Sequence, residues 1–513
     1  MKDWTDGYVA DIGYTYGYYP ELNPLRAQWA FLNAGLVPPP LPPEGGAACE
    51  LGFGQGVSAA FHAAASNVHW WGTDFIPAQA AHAIKLAQAS GAKASFYDEA
   101  FAEFCVRDDL PQFDSIGLHG IWSWVSNENR AIIVDFVRRK LKVGGVLYVS
   151  YNTQPGWSAV MPLRHLLTSH AATMGTEGQG ILGRIGDSLD FASRLMDMNP
   201  AYLRTNPGMR ERLDRLKALD KSYLAHEYFN RDWDPMHFAQ MAEWLAPAKL
   251  SYACSAYLLD HVDGLNLPQD QLKLVNEIPP GTFRETVRDF CINQQFRRDY
   301  WVKGARRLSP IEQNDAIRAQ RVVLVQGAAG VSLKINGASG EVQLRQDIYE
   351  PVLKLLSDHV PRTIGEIAQA LAPQSISFAV AREAITVLLG TAALQLCQDD
   401  KLALQAKPQT DRLNAYLCSQ ARAGGINNLA SPLTGGVAVS RSIQIFLLAR
   451  SQGLQTPQEW AQFAWQQFSL LGQYLVKEGK TLATAEENLQ ELHRQAQEFQ
   501  SVQLPILKAL MIA

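Results

Sequence analysis

The sequence predicts an α/β protein. Its centre is an open, seven-stranded sheet wound by helices, with a helical insertion after the fifth strand and two further units behind. Three observations predict this. Short apolar runs alternate with helical patterns between residues 45 and 156, the rhythm of parallel strands joined by crossover helices. A glycine-rich turn, CELGFGQG (49–56), follows the first apolar run directly. Two late strand-like runs, KLSYACSAYLL (249–259) and FRRDYWVKG (296–304), return after a long helical stretch and complete the sheet.

The elements follow in order. Residues 1–44 form an aromatic-rich arm, YTYGYYPELNP (14–24), then a helical pattern and a stiff connector, VPPPLPPEGG (37–46). Residues 45–156 hold four strand–helix units and a closing strand: AACEL with a helix near 55–66, NVHWWGTD with one near 77–89, AKASFYD with a short one near 99–106, FDSIGLHG with one near 127–140, then GGVLYVSY. Residues 157–230 are mostly helical in pattern and read as an insertion with a regulatory or substrate-binding role. Residues 231–305 return to the sheet. A unit at 306–406 combines a strand at 331–337 with helical patterns at 347–358, 363–371 and 378–390, and a two-stranded wing at 394–404, the pattern of a winged helix. Thr363 and Glu366 fit a capping box for its second helix. Its third helix, FAVAREAITVLLG, has one Arg and one Glu, too little positive charge to read DNA. A packing or protein-docking role is expected there. Residues 407–513 form a helical C-terminal domain with a glycine-bearing loop, LASPLTGGVAVS (429–440).

Composition narrows the function. The chain of 513 residues is 47% apolar and 19% charged, with a net charge of −4. No basic excess points to nucleic acid. Six scattered cysteines make no CxxC pair, so no zinc or redox site is expected, and they fit a reducing compartment. The start, MKDWTDGYVADIGY, lacks a signal-peptide pattern, and no apolar run approaches the ~20 residues of a membrane span. The expectation is a soluble, cytoplasmic protein.

The glycine turn sets the ligand. Gly52, Gly54 and Gly56 make GxGxG and not the GxGxxG of dinucleotide folds. Glu50, ending the first strand, would repel a pyrophosphate and suits a cation. S-adenosylmethionine carries a sulfonium and an ammonium, and glycines admit its methionine and ribose portions without a Cβ clash. Asp74 ends the second strand, where a carboxylate accepts from ribose hydroxyls in nucleotide folds. Phe75 and Ile76 are placed to flank the adenine. Asp98, with Glu99 beside it, ends the third strand and faces the exocyclic amine. Each acid alone also suits a helix cap or a solvated loop. Together they fall at the C-terminal edge of successive strands, where open α/β sheets bind ligands.

CELGFGQG, WGTDFIP, SFYDEAF, FDSIGLHG and LKVGGVLYVSY, in that order, resemble the motifs of class I S-adenosylmethionine-dependent methyltransferases, whose sheet is Rossmann-like. YTYGYYPELNP, HGIWSWVS (119–126), YNTQPGW (151–157), AHEYFN (225–230), QFRRDYWVKG (295–304) and LASPLTGGVAVSR (429–441) narrow the resemblance to bacterial methyltransferases with a methyltransferase regulatory domain. That group includes lysine methyltransferases acting on outer-membrane proteins, and it implies that a homodimer is possible. Relatives often carry a smaller residue at Phe53 and GN in place of Val57-Ser58, so a local change in the cofactor pocket is expected. Phe53 and Tyr14 are placed with the cofactor residues.

Methyl transfer needs a nucleophile with a free lone pair aligned with the methyl–sulfur bond. A lysine must shed its proton, which a desolvated aromatic channel favours. Tyr14, Tyr16, Tyr18 and Tyr19 are expected to fold over the cofactor as a lid. Trp122 and Trp124 either line the acceptor channel or pack under the insertion. His119 contacts cofactor or acceptor through ring or backbone, or is structural. Asn152 bonds the acceptor or caps the QPG turn. Glu227 orients the amine or acts as base, or is a solvated helix-end residue. Tyr16, His119, Trp122, Asn152 and Glu227 are therefore the catalytic candidates, and no metal-ligand cluster is visible. The expected activity is methylation of a protein side chain, with lysine first. The alternatives are N- or O-methylation of a small molecule, or a cofactor-binding regulator or scaffold.

Overall fold

A computed structural model describes residues 5, 7–9, 12–13, 15–42 and 44–513, with Glu177 described by its backbone alone. After α1 (Pro24–Asn33) come β1 (Ala47–Leu51), α2 (Val57–Ala64), β2 (His69–Thr73), α3 (Pro77–Ser90), β3 (Ala94–Tyr97), α4 (Phe101–Phe104), β4 (Phe113–Leu118), α5 (Asn127–Lys140) and β5 (Leu141–Asn152). The insertion holds α6 (Met161–Thr173), α7 (Gly180–Asp197), α8 (Ala201–Thr205), α9 (Met209–Ala218) and α10 (Lys221–Tyr228). The chain then returns through α11 (Phe238–Leu245), β6 (Leu250–Ser255), α12 (Asp263–Asn266), α13 (Gln269–Glu277), α14 (Thr282–Ile292) and β7 (Phe296–Lys303).

Among the described residues the main sheet has seven strands in the order β3-β2-β1-β4-β5-β7-β6. The first five are parallel, and β7 runs antiparallel between β5 and β6. The strand order therefore reverses between β1 and β4, and the crevice opens at that switch point. The sheet is legible in the sequence because parallel strands are buried on both faces and read as continuous apolar runs. All five residues of β1 are buried, Glu50 included.

Behind the sheet come α15 (Pro310–Ala319), β8 (Arg321–Leu324), β9 (Lys334–Gly337), β10 (Gly340–Gln343), α16 (Gln346–Leu355), β11 (Arg362–Thr363), α17 (Ile364–Leu371), α18 (Phe378–Gly390) and β12 (Leu394–Cys397). The Thr363–Glu366 capping box forms as expected. The two-stranded wing at 394–404 does not form. β12 pairs with β8 instead, and Asp399 accepts from the Lys401 N–H to start α19 (Asp400–Gln420). A capped helix start outweighs the strand-like look of KLAL, whose Leu, Ala and Lys are all good helix formers. On α18, Arg382 donates to the Asn33 carbonyl and side chain on α1 at 3.0 and 2.9 Å, so its lone arginine serves packing.

The C-terminal domain continues through β13 (Asn428–Ser431), β14 (Gly435–Ala438), α20 (Arg441–Ser451), α21 (Pro457–Ser469), β15 (Val476–Lys477), β16 (Lys480–Thr481), α22 (Ala485–Glu498) and α23 (Leu504–Ala509). One apolar cluster runs from Trp29 on α1 through α2 and α3 to Leu388 on α18 and Ile445 on α20. A second fills the opposite sheet face, and a third lies within the insertion. All six cysteines are free thiols. Among the described residues no helix is long and apolar enough to cross a membrane.

Candidate active site

The site forms where β1, β2, β4 and β5 end. The chain leaves β1 through Gly52, Gly54 and Gly56, each left-handed at φ 72, 57 and 68°, a region costly for residues with a Cβ. The three differ in what surrounds them. A Cβ on Gly52 would stand 2.4 Å from Ile121, and one on Gly56 would stand 2.3 Å from the Ala83 Cβ of α3. Gly54 faces open space, with Gln79 Oε1 the nearest atom at 3.8 Å. Gly52 and Gly56 thus serve packing, and Gly54 leaves room for a ligand.

Glu50 is 1% exposed. Burial, reinforced by Asp74, pushes its carboxyl well above the ordinary range, and the Ala59 backbone opposes this. Among the described residues its Oε2 finds no hydrogen-bond partner. Such an oxygen is costly unless a proton or a cation meets it. Asp74 is also buried. Its carboxylate accepts from the Gly54 N–H at 2.8 Å and the Ile76 N–H at 3.0 Å, so it clamps the glycine turn to the start of α3. Burial raises it to about 7 against those two hydrogen bonds, with exposed Asp98 adding to the rise.

The arm covers this edge. The Tyr19 ring stacks on His119, centroids 3.4 Å apart and planes 16° from parallel. Burial pushes the Tyr19 phenol up to about 12, helped by Glu50, Glu227 and Glu21. Tyr8 meets Phe75 edge-on at 5.8 Å and His226 at 5.6 Å. Its phenol is raised by burial, then by Asp74 and Glu227. The charge of Glu227 on α10 therefore reaches both phenols. At the end of β5, buried Asn152 holds its backbone by a 2.8 Å bond to Ser123 Oγ. Among the described residues its Nδ2 has no partner.

His119 shares a 2.8 Å hydrogen bond with the Tyr148 hydroxyl. Burial lowers it to about 4, against Glu21, so it is a neutral ring that supports Tyr19. Five expectations change. The Trp122 ring is core, its indole N–H donating to Met236 Sδ at 3.3 Å. The Phe53 ring packs on Phe96 below the turn, so only its backbone faces the ligand side. Glu99 is held by Arg107 at 2.5 Å. Tyr16 lies at the surface against His82, 5.2 Å between centroids. The four-tyrosine lid divides: Tyr19 enters the site, Tyr18 turns to the C-terminal domain, and Tyr14 lies outside the described residues. An aromatic-rich stretch reveals density and not direction, which explains these errors. Tyr8 and Glu21 were missed. Glu21 is buried, and Arg26 and Arg298 outweigh that burial to hold its carboxyl below its ordinary value. Its only sequence signal was its place inside YTYGYYPELNP.

The family model described as "Predicted methyltransferase regulatory domain" matches residues 220–303, from α10 to the end of β7. The Synechocystis protein sll1526 is 37% identical over 514 residues, covering 99% of this chain and all of that one. The chain belongs to the same family as sll1526 and carries a methyltransferase regulatory domain on a class I methyltransferase fold. Two further likenesses are found, the first of them in fold. PKMT2 from Rickettsia typhi, solved in complex with AdoHcy, matches with a TM-score of 0.70 over 98% of this chain and 100% of its own, at 17% identity. Rickettsia prowazekii protein RP789 is 27% identical over 286 residues, 53% of this methyltransferase and 49% of RP789.

Proposed function

We propose that this methyltransferase uses S-adenosylmethionine to methylate lysine side chains of a protein substrate. The observation that carries the cofactor is the buried, unpartnered Glu50 oxygen beneath the open face of Gly54. A buried carboxylate of this kind suits a ligand ammonium, and Asp74 lies next to it on the ribose side. Glu50, Gly54, Asp74 and Asn152 would hold the cofactor. When bound, S-adenosylmethionine supplies a methyl group on a positively charged sulfur.

The chain's own residues prepare the acceptor. Tyr8 and Tyr19 offer ring faces to an ammonium and exclude water, which favours the neutral amine. Glu227, whose charge reaches both tyrosines, would receive the proton that the acceptor amine gives up on methylation. The aromatic wall and the large added domains support lysine in a macromolecule over a small amine. The six free thiols suit the cytoplasm.

Titration calorimetry with S-adenosylmethionine and S-adenosylhomocysteine tests the cofactor, with micromolar binding expected and loss in Asp74→Ala. Transfer from methyl-labelled cofactor tests the acceptor. Label in protein, recovered as methyl-lysine, supports the proposal. Label confined to small molecules overturns the lysine assignment.

A further inference from the structure

The motif LASPLTGGVAVS (429–440) lies in the C-terminal domain. It forms the β13–β14 hairpin, and its glycines meet the N-terminal arm. The Gly436 N–H donates to the Tyr18 hydroxyl at 2.9 Å. A Cβ on Gly436 would stand 2.5 Å from that ring. Gly435, left-handed at φ 98°, leaves room for Asn23 and the Tyr18 hydroxyl, each within 3.0 Å of where its Cβ would be. Asn23 Nδ2 donates to the Thr434 carbonyl at 2.9 Å. Gly425, at φ 114°, lies flat beneath Tyr16, 2.8 Å from a notional Cβ.

The next residue of the arm faces the other way. The Tyr19 N–H donates to Ser58 Oγ at 2.8 Å on α2, and its ring stacks on His119 beside Glu50. Adjacent side chains of an extended segment point to opposite sides. Fixing Tyr18 in the C-terminal domain therefore fixes Tyr19 in the crevice. Three seats without side chains, two on β14 and one in the loop before β13, match two tyrosine rings of one arm.

We propose that the C-terminal domain positions the active-site cover: the β13–β14 hairpin is a latch that holds Tyr18 and thereby sets Tyr19 over the cofactor crevice. Tyr18, Asn23 and Gly436 are positioning residues and touch no reacting atom. The inference rests on the methyltransferase reading for its consequence, which is that cofactor affinity depends on a contact made by the C-terminal domain. The hairpin motif and the aromatic arm motif, more than 400 residues apart, form one device.

The test uses the full chain in four forms: wild type, Gly436→Ala, Tyr18→Phe and Ile445→Val. Gly436 lies outside the left-handed region, so alanine there disturbs the Tyr18 seat and not the backbone. Tyr18→Phe removes only the hydroxyl acceptor and keeps the ring. Ile445→Val loosens the C-terminal core away from the arm. Two readouts are taken: the Kd for S-adenosylmethionine, and the NMR titration of the His119 ring, which Tyr19 covers. The latch predicts about tenfold weaker binding for Gly436→Ala and a smaller loss for Tyr18→Phe. It also predicts that His119 titrates upward from about 4 towards its ordinary 6.5. Ile445→Val should lower thermal stability and leave both readouts unchanged. Wild-type readouts in Gly436→Ala, or an equal loss in Ile445→Val, overturn the latch. If wild type binds no cofactor, the cofactor assignment fails, and His119 in the two latch variants still decides whether the hairpin holds Tyr19.

Discussion

Asp74 sits under two constraints at once. Its oxygens hold the Gly54 and Ile76 amides, and its charge lies on the ribose side of a ligand proposed to be cationic. A carboxyl raised to about 7 is largely protonated at pH 6 and largely ionised at pH 8. The sign follows. A cation favours the ionised form, so affinity for S-adenosylmethionine should rise with pH up to about 7 and then level off. Below pH 7, binding should release protons, which calorimetry in buffers of different ionisation enthalpy measures. Asp74→Asn should weaken binding and abolish that dependence. Glu227→Gln belongs to the other half of the site. Loss of a general base typically costs about 10²–10⁴-fold in rate. We expect a kcat loss of at least about 10²-fold with an unchanged cofactor Kd, and an equal loss in both would place Glu227 in cofactor binding.

Among the elements, the glycine turn separates stability from binding. Gly56→Ala combines a left-handed cost of about 1–2 kcal/mol with overpacking of about 1–3 kcal/mol against Ala83. Gly54→Ala has only the first cost, because its Cβ would enter open space. Urea unfolding should show Gly56→Ala losing roughly 2–5 kcal/mol, and calorimetry should show Gly54→Ala losing cofactor affinity. The α14–β7 pair carries a second exposed choice. Arg297, buried, meets Glu285, Asp289 and Asp299 at 2.9, 2.5 and 2.9 Å, and the Tyr151 hydroxyl donates to Asp299 at 2.8 Å. Three carboxylates face one guanidinium. Burial raises Asp289 to about 7, with Arg297 opposing and Asp299 and Glu285 adding to the rise. A raised acid holds its proton in the folded state where the unfolded chain has lost it. Its effect on stability is therefore a loss as pH climbs from about 4 to 7. Asp289→Asn should flatten that slope in denaturation curves, while Arg297→Met strands the carboxylates and should cost about 3–5 kcal/mol.

At the scale of the whole molecule, the domains interlock. Arg412 of α19 donates to the Ser90 carbonyl at 2.8 Å, and Gln398 donates to the Ala65 carbonyl at 2.8 Å. Arg382 ties α18 to α1, and the latch ties β14 to the arm. The apolar cluster crosses all of these boundaries. Shared burial couples unfolding, so differential scanning calorimetry should show one cooperative transition. Two resolved transitions would mean that the C-terminal domain docks weakly, and the arm's seat with it.

The sequence by itself determined the sheet and the glycine turn at its edge. Both are local: buried parallel strands leave apolar runs, Glu50 and Asp74 lie within a residue of a strand's end, and the three glycines fall in the five residues after β1. It also placed the insertion after the fifth strand and the late return of two strands. Side-chain direction escaped it. Nothing in HGIWSW says that Trp122 points into the core, and nothing in YTYGYY says that Tyr18 and Tyr19 part company. Nor does KLAL, read alone, distinguish a wing from a capped helix. Those choices depend on what lies on each side of the chain, and only the tertiary structure brings Gly436 to Tyr18, Arg107 to Glu99 and the ring of Tyr19 onto His119.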